Sequence, residues 1–126
     1  MVVPGSTDER RRELASVFQN TETLFVEDDA YGKLNFSGKT PSSLREFLLD
    51  QTIITGSFSK ILAPGMRFEW VVASPDIMEK FVIAKQSSDL HSNYLSQRIA
   101  YQYLHQQNIM IISEKSVEYI KHNAIL

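Results

Sequence analysis

The sequence predicts an α/β domain in which a small sheet of about three strands, two of them parallel, is flanked by helices. Two short apolar runs of β-forming residues, at 23–26 and 52–55, each end abruptly in polar residues. Continuous apolar runs of this length are typical of strands that are covered on both faces, as in parallel sheets. Helical patterns alternate with these runs and with a third predicted strand at 68–73, and this alternation favours a layered α/β arrangement.

Helix start signals support this order of elements. Ser6, followed by Glu9 three residues later, has the pattern of a capping box and predicts a first helix that ends at about Gln19. Further helices are predicted at about 42–49, from Ser74-Pro75 (a hydroxyl cap followed by a proline at the first helical position), at about 90–105, and from about 113 to the last residue.

The composition excludes several classes of function. The 126 residues carry a net charge of −2, so no basic excess is available to neutralise nucleic-acid phosphates. The chain has no cysteine, which excludes disulfides, thiolate metal sites and cysteine nucleophiles and fits a cytoplasmic protein. Its three histidines are scattered, so no metal site is predicted. No apolar run approaches the roughly 20 residues of a membrane span.

Side chains that can do chemistry follow the first two predicted strands. They are Asp28 and Tyr31 after the first strand, Ser57, Ser59 and Lys60 after the second, and Arg67 after a Pro64-Gly65 turn. Because ligands of open α/β sheets bind beyond the carboxyl ends of the strands, these groups are expected in one crevice. A lysine amine, a carboxylate, a phenol, hydroxyls and a guanidinium are the groups that pyridoxal phosphate (PLP) needs for covalent attachment, ring protonation and phosphate binding.

Three stretches carry a family resemblance: EDDAYG at 27–32, GSFSKILAPGMRFEW at 56–70 and SPDIMEKFVIAKQSSDLHSNYLSQRIAYQYL at 74–104. Together they resemble the large domain of PLP-dependent class I/II aminotransferases of fold type I. The similarity runs from about residue 6 to about residue 122. Within the family it is closest to the branch that contains aminoadipate aminotransferases and the aminotransferase-like domains of MocR-type regulators. The resemblance implies that the third strand runs antiparallel to the other two.

The same resemblance implies the roles of the site residues. It places catalysis on Lys60, the covalent anchor of the cofactor, and cofactor contacts on Asp28 (ring nitrogen), Tyr31 (ring oxygen), Ser57 and Arg67 (phosphate), and Ser59, whose role in the family is less fixed. The sequence departs from the family pattern at Glu69, where a glycine is common. A glutamate there brings bulk and a charge that needs water or a partner.

Residues 1–126 are therefore expected to form a single segment of a PLP-binding large domain, incomplete at both ends and inactive alone. The implied reaction is amino-group transfer between an amino acid and a 2-oxo acid, by a homodimer that contacts neither membranes nor, through this segment, nucleic acid. Two alternatives remain at this point. The chain could belong to the PLP-sensing effector domain of a MocR-type (GntR family) transcription regulator, or be a degenerate remnant without PLP chemistry.

Overall fold

The computed structural model describes residues 7–32 and 41–106. These residues form three strands and four helices, in the order α1 (Asp8–Phe18), β1 (Phe25–Asp28), β2 (Thr52–Ser57), α2 (Phe58–Ile61), β3 (Glu69–Val72), α3 (Pro75–Ser88) and α4 (Tyr94–Gln106). Single 3-10 turns lie at Leu44–Glu46 and Pro64–Met66. The helix predicted from about residue 113 lies outside the described residues.

The three strands form a mixed sheet in the order β1-β2-β3. β1 runs parallel to β2, with Asp28 opposite Thr55, and β3 runs antiparallel to β2, with Glu69 opposite Ser57. The predicted sheet, two parallel strands and an antiparallel third, is confirmed. Its consequence for function is that the ends of β1 and β2 and the start of β3 share one edge of the sheet.

The strands differ in how well they are covered. Thr52, Ile53, Gly56 and Ser57 of the central strand β2 are buried, as expected for a strand with neighbours on both sides. In β1 only the first residue is buried, and Val26 is 53% exposed. The prediction that both apolar runs are covered on both faces is therefore wrong for β1, within the part of the chain that the structure describes.

A small apolar core covers one face of the sheet. Phe25 of β1 is buried against Ala15 of α1 and against Leu48, and Phe18 packs its ring edge-to-face on Phe25 with ring centroids 5.2 Å apart. Burying one phenylalanine stabilises a fold by roughly 1.5–3 kcal/mol. This core ties α1 and the 41–51 segment to β1.

The start of α1 differs slightly from the prediction. Thr7 is the residue that caps the helix, and its hydroxyl accepts a hydrogen bond from the backbone N–H of Arg10 at 3.4 Å. The pKa of Glu9 in the first turn is lowered, chiefly by backbone hydrogen bonding at the helix start and then by the Thr7 side chain. At the start of α3, Ser74 and Pro75 occupy the predicted positions, although Ser74 makes no side-chain cap bond.

A half-buried ion pair joins α1, β1 and the segment before β2. The Arg11 guanidinium donates to the Glu27 carboxylate and to the backbone oxygen of Ser42, the latter at 2.7 Å. The second oxygen of Glu27 accepts from the hydroxyl of Ser43 at 2.5 Å and from the backbone N–H of Leu44 at 3.1 Å. The two charged side chains are only 18% and 20% exposed, so water screens them weakly.

Two predicted helices are shorter in the structure. The predicted 42–49 helix is reduced to the turn at Leu44–Glu46, because the chain then bends to place Leu48 in the core and to let the carbonyl oxygen of Gln51 accept a hydrogen bond from the N–H of Phe25 at 2.8 Å. The helix predicted from about residue 90 begins at Tyr94, because Leu90 has a left-handed backbone with φ of 67° that interrupts helical geometry.

The two helices that follow the sheet are more exposed. α3 has no buried residue and α4 has one, Ala100, while several apolar side chains of both helices are exposed. No helix within residues 7–32 and 41–106 combines the length and the hydropathy that crossing a bilayer requires.

Gly56 lets β2 and β3 pack closely, and this gives a first testable prediction. A Cβ atom at Gly56 would lie 2.2 Å from Cζ2 of Trp70, its partner in the sheet register. We therefore expect Gly56→Ala to lower the free energy of unfolding by about 1–3 kcal/mol, as for other overpacked sites. Urea denaturation measures the change. Gly65→Ala is the matched control, because a Cβ there meets nothing within 4 Å. Equal stability of the two variants would contradict the prediction.

Candidate functional site

The end of β1 presents a carboxylate and a phenol. Asp28 is the last residue of β1 and is exposed, and its Oδ1 accepts a hydrogen bond from the backbone N–H of Ala30 at 3.3 Å. This local bond folds the chain into a turn, a common use of aspartate after a strand. The turn presents Tyr31, whose side chain is 63% exposed, at the same edge of the sheet.

The end of β2 leads directly into the one-turn helix α2. Ser57, the last residue of β2, is buried, and its hydroxyl accepts a hydrogen bond from the backbone N–H of Ser59 at 3.3 Å. This is the usual contact of a serine that caps a helix. Because Ser57 starts the turn, Ser59 becomes half-buried and Lys60 becomes exposed.

Lys60 and Tyr31 meet across the parallel pair of strands. The Nζ atom of Lys60 lies 5.5 Å from the centroid of the Tyr31 ring, in the geometry of a cation–π contact. Such contacts at exposed sites contribute about 0.5–1 kcal/mol. Within the described residues the ammonium group makes no hydrogen bond or ion pair, so its donors stay available to a ligand.

Beside α2 lies an open cleft of about 240 Å³. It is lined by Ser59, Arg67, Phe68, Glu69, Lys85 and Ser92. The lining combines two cations, one carboxylate and two hydroxyls, so its charge is net positive. The volume is below the roughly 300–1,000 Å³ of pockets that enclose a drug-sized ligand, so the cleft suits one charged group of a ligand.

Arg67 has an unusual backbone. It follows the 3-10 turn Pro64–Met66 with φ of 50° and ψ of 42°, the left-handed region that costs a residue with a Cβ atom roughly 1–2 kcal/mol. Its guanidinium makes no hydrogen bond or ion pair with any other described residue. Residues in such strained conformations persist only where the surrounding structure holds them in place, and they cluster at ligand-binding sites.

The structure thus arranges the predicted site residues as two adjoining groups. Lys60 and Tyr31 form one, and Ser59 and Arg67 lie together in the cleft. Asp28 lies at the same edge of the sheet. Ser57, in contrast, is buried and does not line the cleft, where Ser59 is the hydroxyl from this segment.

Lys85 was not predicted as a site residue. It lies on α3, within the third stretch of family resemblance at 74–104, to which the sequence assigned no site residue. The direction of β3 could have indicated this position of Lys85. Because β3 runs antiparallel to β2, a helix that follows β3 has to run back toward the edge of the sheet at which β2 ends. Its ammonium group is 2.8 Å from the Asp89 carboxylate, in an exposed pair of the kind that contributes about 0.3–0.5 kcal/mol.

Comparison with known proteins identifies the family to which the chain is similar. The family model for aminotransferase class I and II matches residues 6–125. An uncharacterised aminotransferase of Saccharolobus solfataricus is 43% identical over 96 residues, which are 75% of this chain and 24% of that protein. The HTH-type transcriptional regulator YisV of Bacillus subtilis is 34% identical over 101 residues, which are 79% of this chain and 21% of that protein.

Solved structures show the same fold. The kynurenine aminotransferase of Pyrococcus horikoshii, solved in complex with PMP, superposes with a TM-score of 0.84 at 34% identity, over 91% of this chain and 29% of that one. LysN, the α-aminoadipate aminotransferase of Thermus thermophilus, solved with N-(5'-phosphopyridoxyl)-L-leucine, superposes with a TM-score of 0.79 at 34% identity, over 87% and 29%.

The chain spans about a quarter of the length of the curated relatives that it matches. The match nevertheless includes both strand ends and the cleft described above. Fold, family model and relatives agree, and the chain belongs to the aminotransferase class I and II family.

Proposed function

We propose that residues 1–126 form a segment of the PLP-binding large domain of an aminotransferase, with Lys60 as the covalent anchor of the cofactor. One observation carries the proposal: the Lys60 amine lies over the Tyr31 ring at a sheet edge that adjoins a cleft lined by Arg67. The reaction would move an amino group between an amino acid and a 2-oxo acid. Membership of the family supports the proposed reaction, its substrates and a homodimeric assembly, and a cytoplasmic location fits the absence of cysteine.

The residues at the sheet edge fit the reactive end of PLP. When bound, PLP supplies an aldehyde and a ring that accepts an electron pair. The exposed amine of Lys60 would hold PLP by condensing with that aldehyde, with loss of one water; once the substrate amine has displaced it, the same amine could carry a proton to or from the substrate carbon. The phenol of Tyr31 can donate a hydrogen bond to the ring oxygen. The carboxylate of Asp28 can hold a proton on the ring nitrogen by charge–charge attraction.

The cleft fits the phosphate end. Arg67 offers a planar fork of donors that suits a phosphate dianion, and Ser59 adds a hydroxyl. Ser57 supports this arrangement through its bond to the Ser59 backbone, so its contribution to phosphate binding would be indirect.

Arg67 provides the test of this assignment. We expect Arg67→Gln to weaken the binding of PLP about 10- to 100-fold, because a charge-assisted hydrogen bond contributes roughly 1.5–3 kcal/mol. Pyridoxal, which has no phosphate, should bind the variant and the wild type equally. Equilibrium titrations with both compounds measure the difference. If Arg67→Gln leaves the affinity for PLP unchanged, the cleft is not the phosphate site.

Glu69 should oppose the same phosphate. Its carboxylate lines the cleft together with Arg67, so it repels a bound dianion. We expect Glu69→Gln to raise the affinity for PLP about threefold. Glu69→Gly, the residue common in the family, should do the same if charge is what matters. An increase in Glu69→Gly alone would mean that the bulk of the side chain is the obstacle.

The similarity to YisV supports a second candidate function. In that case the same residues would bind PLP as a sensor within a transcription regulator. The reading frame upstream of Met1 distinguishes the two: a winged-helix module indicates the regulator, and a phosphate-binding loop without that module indicates the enzyme.

A further inference from the structure

We propose that Lys85 is a second phosphate-binding cation of the cleft, which leaves Asp89 and turns to the phosphate when a ligand binds. The proposal rests on the proposed function, since it takes the phosphate of PLP as the ligand group. The proposal adds to the site a residue outside 27–32 and 56–70, the two stretches that contain the predicted site residues.

The position of Lys85 supports this assignment. Lys85 lines the cleft together with Arg67, and it comes from α3, whereas Arg67 precedes β3. A phosphate group between them would therefore be held by cations from two separate elements. With both Arg67 and Lys85, the lining keeps a net positive charge despite the carboxylate of Glu69. With Arg67 as its one cation, the lining would be neutral.

The backbone around Lys85 is well fixed. The carbonyl oxygen of Lys85 accepts hydrogen bonds from the N–H groups of both Asp89 and Leu90, at 3.1 and 3.0 Å, and Leu90 takes a left-handed conformation. This closure ends α3 and reverses the chain, so that Ser92 also reaches the cleft. These bonds hold the Cα atom of Lys85, while its four-carbon side chain is flexible. The ammonium group can therefore move between the Asp89 carboxylate and a phosphate in the cleft.

The present partner of Lys85 is easily displaced. The ammonium group lies 2.8 Å from the Asp89 carboxylate, but both side chains are about half exposed, so water and salt screen the pair. A phosphate dianion carries more charge than a carboxylate and more acceptor oxygens, and it forms stronger charge-assisted hydrogen bonds. Asp89 therefore competes with the ligand for Lys85.

Inorganic phosphate is a suitable probe, because it isolates this interaction from the chemistry of Lys60. Its dissociation constant can be measured by NMR titration of the 126-residue chain at constant ionic strength, with sodium chloride as the blank. We expect Lys85→Gln to weaken phosphate binding about fivefold. We expect Asp89→Asn to strengthen it about twofold, because the competing carboxylate is gone. Lys80→Gln, an exposed lysine of the same helix that does not line the cleft, is the matched control.

The outcomes separate this proposal from the proposed function. If Lys85→Gln behaves like Lys80→Gln, or if the wild type binds no phosphate, Lys85 is not a phosphate ligand. If Asp89→Asn weakens binding, the pair with Asp89 holds Lys85 in place and the displacement is wrong. A loss of phosphate binding in Lys85→Gln, with no attachment of PLP at Lys60 in the wild type, would support the anion site and contradict the proposed function alone.

Discussion

Lys60→Ala is expected to abolish the visible absorbance that PLP acquires on covalent attachment to the chain. The amine is exposed and makes no hydrogen bond or ion pair within the described residues, so it is available to an aldehyde. Its cation–π contact with Tyr31 is the one interaction that the substitution removes there, at a cost to stability of about 0.5–1 kcal/mol. The fold should therefore persist, and the loss of absorbance should be complete. Absorbance spectra at saturating PLP measure the effect.

Two further variants control this experiment. Lys80→Ala removes another exposed lysine, at a distance in sequence from the sheet edge, and should leave the band intact. Lys60→Arg keeps the positive charge over the Tyr31 ring but removes the amine, so it should lose the band as completely as Lys60→Ala. A band that persists in Lys60→Arg would show that another amine reacts, and the role assigned to Lys60 would be wrong.

Glu27→Ala is expected to lower the free energy of unfolding far more than the loss of a surface ion pair does. It removes the acceptor for the Arg11 guanidinium, the Ser43 hydroxyl and the Leu44 backbone N–H together. Breaking a fully buried ion pair costs about 3–5 kcal/mol, and the 18% and 20% exposure of this pair reduces the expected loss to about 2–3 kcal/mol. That is a large share of the roughly 5–15 kcal/mol that stabilises a typical domain.

Urea denaturation of Glu27→Ala and of Glu13→Ala measures this difference under one set of conditions. Glu13 pairs with Arg10 on the surface of α1, where both side chains are about two-thirds exposed, so its removal should change the free energy of unfolding by less than about 1 kcal/mol. Similar losses in the two variants would mean that the Glu27 network contributes no more than a surface pair.

The strand ends were predictable from the sequence because they depend on the local order of residues. The apolar runs at 23–26 and 52–55 predicted the strand ends to within two residues of Asp28 and Ser57, and the parallel pairing of β1 and β2 then brings Lys60 over Tyr31. The antiparallel direction of β3 could not be predicted in this way, because apolar runs do not reveal strand direction. It came from the resemblance to the family.

The errors have a common physical origin in contacts between distant segments. The predicted 42–49 helix is a single turn because Leu48 packs in the core with Phe25 and the carbonyl oxygen of Gln51 pairs with the N–H of Phe25, and both contacts require the chain to leave the helix. The role of Ser57 at the phosphate stays a prediction; the strand buries Ser57, and Ser59 is the hydroxyl of this segment that lines the cleft. Lys85 lines the cleft from α3, and the order of residues along the chain does not reveal this meeting of separate elements.

The most direct test of Lys60 as the cofactor anchor is to trap PLP on the wild-type chain. Borohydride reduction fixes the cofactor to whichever amine has reacted, and peptide mass spectrometry then locates it among the seven lysines. We expect the modification on Lys60, at PLP concentrations too low to label Lys80 or Lys85. A modification spread over the exposed lysines, or absent from Lys60, would contradict the proposed site.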